Sequence, residues 1–78
     1  MKFIYRDNYI KMGLKISYYR KLTGMTQQQL AAKLDKDTSF ISQIEAPNVA
    51  RAITMDSLFD IATALGVPAH KLIDFDDD

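Results

Sequence analysis

Residues 26–45 read TQQQLAAKLDKDTSFISQIE, and this stretch restricts the fold more tightly than any other. It holds two short helical patterns separated by a break at Asp35 and Lys36. Leu30, Ala31, Leu34, Ile41 and Ile44 fall where two helices crossing at a steep angle would turn their apolar sides toward each other. Ala31 is small where the two backbones must approach closely. The remaining positions are mostly amides, small hydroxyls and charges.

The chain has 78 residues and therefore forms one domain, of a size that buries only about 60% of its unfolded surface. Cysteine is absent, so neither a disulfide framework nor a thiolate metal site can add stability. Helix packing has to supply it. Arg6 and Asp7 interrupt what would have to be the apolar core of a signal peptide, and no run approaches the roughly 18 apolar residues of a membrane span. The expectation is a soluble, cytoplasmic protein with no membrane partner.

Glycine and proline punctuation divides the chain into five helices without a strand, an all-α architecture. The first is expected over residues 10–22, with Ile10, Leu14, Tyr18 and Leu22 four apart, Ile16 and Tyr19 beside them, and Gly24 beyond its end. Thr26 and Gln29 form a T-x-x-Q capping box that opens the second, which runs to residue 34. Asp37 serves as N-cap of the third, and Pro47 stops it near residue 46. A long loop over residues 47–53 follows. The fourth starts at Thr54, carries Leu58, Ile61, Ala62 and Leu65 on one face, and closes at Gly66. Pro68 then suits the first turn of a short fifth helix through residue 73. Residues 1–9 are left as an N-terminal extension, 10–73 as the domain, and 74–78 as an acidic tail.

Net charge is zero, which by itself argues against nucleic acid, because binding to the phosphate backbone is driven by Lys and Arg displacing counterions. The distribution of charge points the other way. Residues 1–36 hold eight cations against two carboxylates, a net +6, and residues 37–78 hold the reverse, a net −6. One positive and one negative side follow from this division, unless the two halves are ordinary solvated faces.

At about 100° per residue, an inward direction midway between Ile41 and Ile44 leaves Ser39, Ser42 and Gln43 pointing outward, with Thr38 at the exposed helix start. Two crossed helices with a polar outer face on the second have the layout of a DNA-reading helix-turn-helix. Thr38, Ser39, Ser42 and Gln43 are thus the candidate base-reading residues. A Gln can address adenine N6 and N7 with two hydrogen bonds, worth roughly 1–3 kcal/mol of discrimination, so specificity rests chiefly on Gln43. Lys36, in the basic half and just ahead of that helix, is a candidate for the DNA backbone. Phe40 points between core and groove, and fits either a flank of the core or an apolar contact to a thymine methyl.

The run MGLKISYYRKLTGMTQQQLAAKLDKDTSFISQIE, followed by ITMDSLFDIATALGVPAHKLI, resembles the Cro and phage-repressor (Xre-type) helix-turn-helix family over residues 12–73. Its specific parts are R-x-x-x-G-x-T-Q-x-x-L-A at 20–31, I-S-Q-I-E at 41–45 and L-x-x-I-A-x-A-L-G-V at 58–67. The resemblance implies a compact five-helix bundle of the lambda-repressor-like DNA-binding type, with double-stranded DNA as partner and no cofactor. It implies base contacts from Thr38, Ser39 and Gln43 in the major groove, and places Gln27 on the DNA backbone. It further implies an ion pair between Arg20 and Glu45, which would make Arg20 structural rather than a DNA contact.

Three positions depart from the family pattern. Asp35 stands where a turn glycine is usual, although Asp is among the non-glycine residues most tolerant of left-handed geometry. Asp37 brings a negative charge to the helix start that faces phosphates. The segment APNVARAI replaces the usual exit from the third helix and leaves Asn48 and Arg51 as backbone candidates.

The resulting expectation is a sequence-specific transcriptional regulator, a repressor or autoregulator, without a small-molecule effector domain. One recognition helix contacts few base pairs, so a homodimer on half-sites about one helical turn, roughly 34 Å, apart is expected. Val67, Leu72, Ile73 and Phe75 are the candidate seam. The rival reading is a protein-interaction module on the same fold, using the aromatic N-terminus (Phe3, Tyr5, Tyr9) and the acidic C-terminus. An enzyme finds little support: His70 is the only histidine, no serine has a histidine base, no Gly-rich phosphate loop follows a strand, and no metal site can be completed.

Overall fold

The computed structural model describes residues 4–76. Four helices follow one another, α1 (Arg6–Leu22), α2 (Gln27–Lys33), α3 (Thr38–Glu45) and α4 (Met55–Leu65), and a 3-10 turn, Ala69–Leu72, closes the chain. No strand occurs among the described residues. The expected fifth helix is therefore a single tight turn. Lys71 N–H bonds the Pro68 carbonyl at 3.0 Å and Ile73 N–H the His70 carbonyl at 3.3 Å, the three-residue spacing of a 3-10 helix, as Leu72 is drawn fully into the core.

Local chemistry sets the helix ends. The Thr26 hydroxyl accepts from Gln29 N–H at 3.0 Å while the Gln29 side chain accepts from Thr26 N–H at 2.9 Å, completing the capping box. Thr54 caps α4 by accepting from Ser57 N–H at 3.1 Å. Asp37 occupies the N-cap position of α3, but its side chain accepts no capping bond.

Three helices end in the same way. A residue with φ between 56° and 74° lets the next N–H reach back five positions: Met25 to Arg20 after Gly24, Lys36 to Ala31 after Asp35, and Val67 to Ala62 after Gly66. Asp35 is thus the one non-glycine residue with positive φ among those described, and it makes the turn between α2 and α3. Ala46, extended at ψ 127°, ends α3 ahead of Pro47.

The largest fully buried side chains are Ile16, Leu30, Ile41, Ile44, Ile61 and Leu72, one or more from each element. Leu34, expected in the wedge, is only half-buried.

The first helix differs from its sequence reading in two respects. It begins at Arg6, four residues early, and so takes up part of the expected extension. It also turns a different face inward. Met12, Gly13, Ile16 and Arg20 are buried, whereas Leu14, Tyr18 and Leu22 are exposed. The reason lies in Gly13, where an added Cβ would overlap the backbone carbonyl of Ile44. Only the face bearing that glycine lets the backbone of α3 come so close.

Candidate nucleic-acid interface

Ile41 and Ile44 anchor α3 against its neighbours with at most 1% of their surface exposed. The opposite side of this short helix gathers the four base-reading candidates. Thr38, Ser39 and Gln43 are exposed, and Ser42 is half-buried. The Ser42 hydroxyl donates to the Ser39 carbonyl at 3.1 Å. Its proton is thus used within α3, which leaves its oxygen lone pairs as acceptors.

Behind this face lies a charged network in the interior. Arg20 Nε donates to Glu45 Oε2 at 2.7 Å and Nη2 to Glu45 Oε1 at 2.8 Å, a bidentate pair between α1 and α3. Arg20 Nη1 also donates to the Met25 carbonyl at 2.7 Å. Both side chains are over nine-tenths buried. The hydrogen bonds it donates to Glu45 raise the Arg20 guanidinium above its ordinary pKa, outweighing the burial that lowers it.

Gln27 joins the same network. Its Nε2 donates to Glu45 Oε1 at 3.1 Å, which ties the start of α2 to the end of α3. Sequence reasoning missed this link. Arg20 takes one lone pair on each Glu45 oxygen, so Oε1 can still accept a second donor, which the amide at the first position of α2 supplies.

Two of the remaining backbone candidates meet at Phe40. Lys36 Nζ lies 5.5 Å and the Arg51 guanidinium carbon 5.2 Å from the ring centroid. The ring is half-buried against the core, so Phe40 flanks the core and serves as a platform for two cations beside α3. Arg51 Nη1 also donates to the Ala52 carbonyl at 3.0 Å. Asn48 is exposed in the turn after α3 and is not part of this cluster.

The expected seam changes. Leu72 has no exposed surface and cannot meet a second copy, because it fills the core beneath the 3-10 turn. Val67 and Phe75 are half-buried against that core, and Ile73 is exposed. Of the N-terminal aromatics, Tyr5 is exposed and Tyr9 packs against the core. Phe3, and Asp77 and Asp78 of the acidic tail, lie outside the described residues.

Among the described residues, no group of three or more His, Cys, Asp or Glu side chains is placed to hold a metal ion. No helix there is long and apolar enough to cross a membrane.

A buried wedge of two short helices with a polar outer face on the second defines a helix-turn-helix domain. Residues 16–72 match the family model described as Helix-turn-helix (HTH_3), and the chain belongs to that family. It is a DNA-binding helix-turn-helix transcription regulator of the Xre type. Two solved structures share the fold. The restriction-modification controller protein C.AhdI from Aeromonas hydrophila superposes with a TM-score of 0.79 at 24% identity, over 87% of this chain and 96% of the other. A hypothetical transcription factor, NHTF, from Neisseria gives 0.77 at 25% identity, over 86% of this chain and 73% of the other. Among curated protein sequences nothing matches.

Proposed function

We propose that this regulator inserts α3 into the major groove of duplex DNA and acts as a repressor or autoregulator in the form of a two-fold homodimer. The observation that carries the proposal is the division of α3 into a buried apolar side, Ile41 and Ile44, and an outer side formed by Thr38, Ser39 and Gln43. In this reading Gln43 selects adenine, the two exposed hydroxyls add less selective contacts, and Ser42 accepts rather than donates.

Phosphates on either side position the helix. Lys36 and Arg51, held over Phe40, supply cations near its start. Gln27 offers the amide N–H that Glu45 leaves unused, and Asn48 adds a contact from the loop. Ile73, with the exposed edges of Val67 and Phe75, supplies the seam between copies.

Selection of bound duplexes from a random pool tests this reading. A two-fold symmetric consensus, with adenine at the position addressed by Gln43, supports it. A pool that shows no enrichment by the intact protein assigns the fold to protein interaction instead.

A further inference from the structure

Two apolar ridges lie on helices that hold none of the residues proposed to meet DNA. On α1, Leu14, Tyr18 and Leu22 are 49%, 58% and 65% exposed. They are spaced by four, and Tyr18 stands about 160° around the helix from buried Ile16, so they form the outermost line of α1. The Tyr19 ring packs edge-on against Tyr18 at 5.0 Å and steadies it. Lys21 is exposed beside this ridge. On α4, Met55 and Phe59 are 57% and 50% exposed, and Asp56 and Asp60 are exposed beside them.

We propose that a second copy of this chain covers the α1 ridge with its α4 ridge, so that copies associate head to tail. Charge decides the pairing. The α1 ridge lies in the half of the chain with net charge +6 and the α4 ridge in the half with net −6. Pairing α1 with α1, or α4 with α4, sets like charges together, whereas α1 on α4 brings Lys21 toward Asp56 and Asp60. Zero net charge removes overall repulsion between copies.

Such a contact is heterologous and leaves one unfilled ridge of each kind at the ends, so it extends a row rather than closing a pair. Five large apolar side chains make a small interface, weak in free solution and strengthened where copies are held side by side. The contact is independent of DNA reading by α3, and its test contains no DNA.

The chain lacks cysteine, so single-cysteine variants report which faces meet. Copies carrying Tyr18→Cys are mixed with mass-tagged copies carrying Phe59→Cys in a glutathione redox buffer, and the disulfides are counted by mass spectrometry. Both positions are exposed, and circular dichroism checks that each variant folds. The mixed disulfide is expected in excess over random collision. Adding Lys21→Asp to the Tyr18→Cys copies is expected to lower that excess about two- to fivefold, and adding Asp56→Lys and Asp60→Lys to the Phe59→Cys copies then restores it. Predominance of either homodisulfide gives that face to symmetric pairing and overturns the proposal. A mixed yield at the random level, or one unchanged by the charge reversals, overturns it as well.

Discussion

The side-chain amide of Gln27 donates to Glu45 Oε1 across 3.1 Å, joining the first residue of α2 to the last residue of α3. The same oxygen accepts from Arg20 Nη2 of α1. One carboxylate therefore fixes three helices at the point where the wedge opens toward its polar face. The orientation of α3 is held by this group as well as by apolar packing.

Glu45→Ala is expected to lower stability by about 3–5 kcal/mol, because it strands a buried guanidinium. A domain of this length has only about 4–12 kcal/mol in total, so the variant sits close to unfolding. Gln27→Ala removes one hydrogen bond and is expected to cost about 1–2 kcal/mol. Urea denaturation measures both. The Arg20 contribution is complete below the guanidinium's ordinary pKa and is lost only as pH rises through its raised value in the folded state, so it is constant across neutral pH.

Gly13→Ala runs against helix propensity. Alanine favours a helix interior by about 1 kcal/mol over glycine, yet here its Cβ would overlap the Ile44 carbonyl. Net destabilisation of about 1–3 kcal/mol is expected, with α3 displaced. Thermal melting followed by circular dichroism decides it, and a stabilised variant would remove the close approach of α1 and α3 from this account.

Much of this architecture is legible in local residue chemistry. Thr26 with Gln29, Thr54, Gly24, Gly66 and Pro47 mark helix ends through bonds within a few residues, and those marks can be read without the fold. The inward face of α1 is not legible in the same way, because the helix carries two apolar lines on nearly opposite sides. Choosing between Ile16 and Tyr18 requires knowing what approaches. The signal was Gly13, a glycine inside a helical pattern, which points to close backbone contact. The outward set on α3 could be read from periodicity, since Ile41 and Ile44 leave one inward direction. The Ser42 bond to its own helix and the cation platform at Phe40 depend on rotamers and loop placement.

Asp35→Gly relieves a left-handed residue at φ 56°. The relief outweighs the extra freedom that glycine gives the unfolded chain, and stabilisation of about 0.5–1 kcal/mol is expected. That corresponds to a melting temperature roughly 2–8 °C higher. An unchanged or lowered melting point would show that Asp35 carries no strain at this turn.

Asp37→Ser separates stability from binding. The Asp37 side chain makes no capping bond, so stability is expected to change by no more than about 0.5 kcal/mol in calorimetry. Removing the negative charge at the start of α3 is expected to tighten duplex binding across sequences in a fluorescence-anisotropy titration. Weaker binding would mean that Asp37 itself contacts DNA.

The most direct measurement compares duplex binding by the parent protein, Gln43→Ala and Lys36→Ala, using selected and scrambled sequences over a salt series. The account predicts parent binding that falls steeply with salt, a preference for the selected sequence that shrinks by about 1–3 kcal/mol in Gln43→Ala, and uniform weakening with a shallower salt slope in Lys36→Ala. An unchanged sequence preference in Gln43→Ala, with the fold intact, would contradict the assignment of α3 as the reading helix.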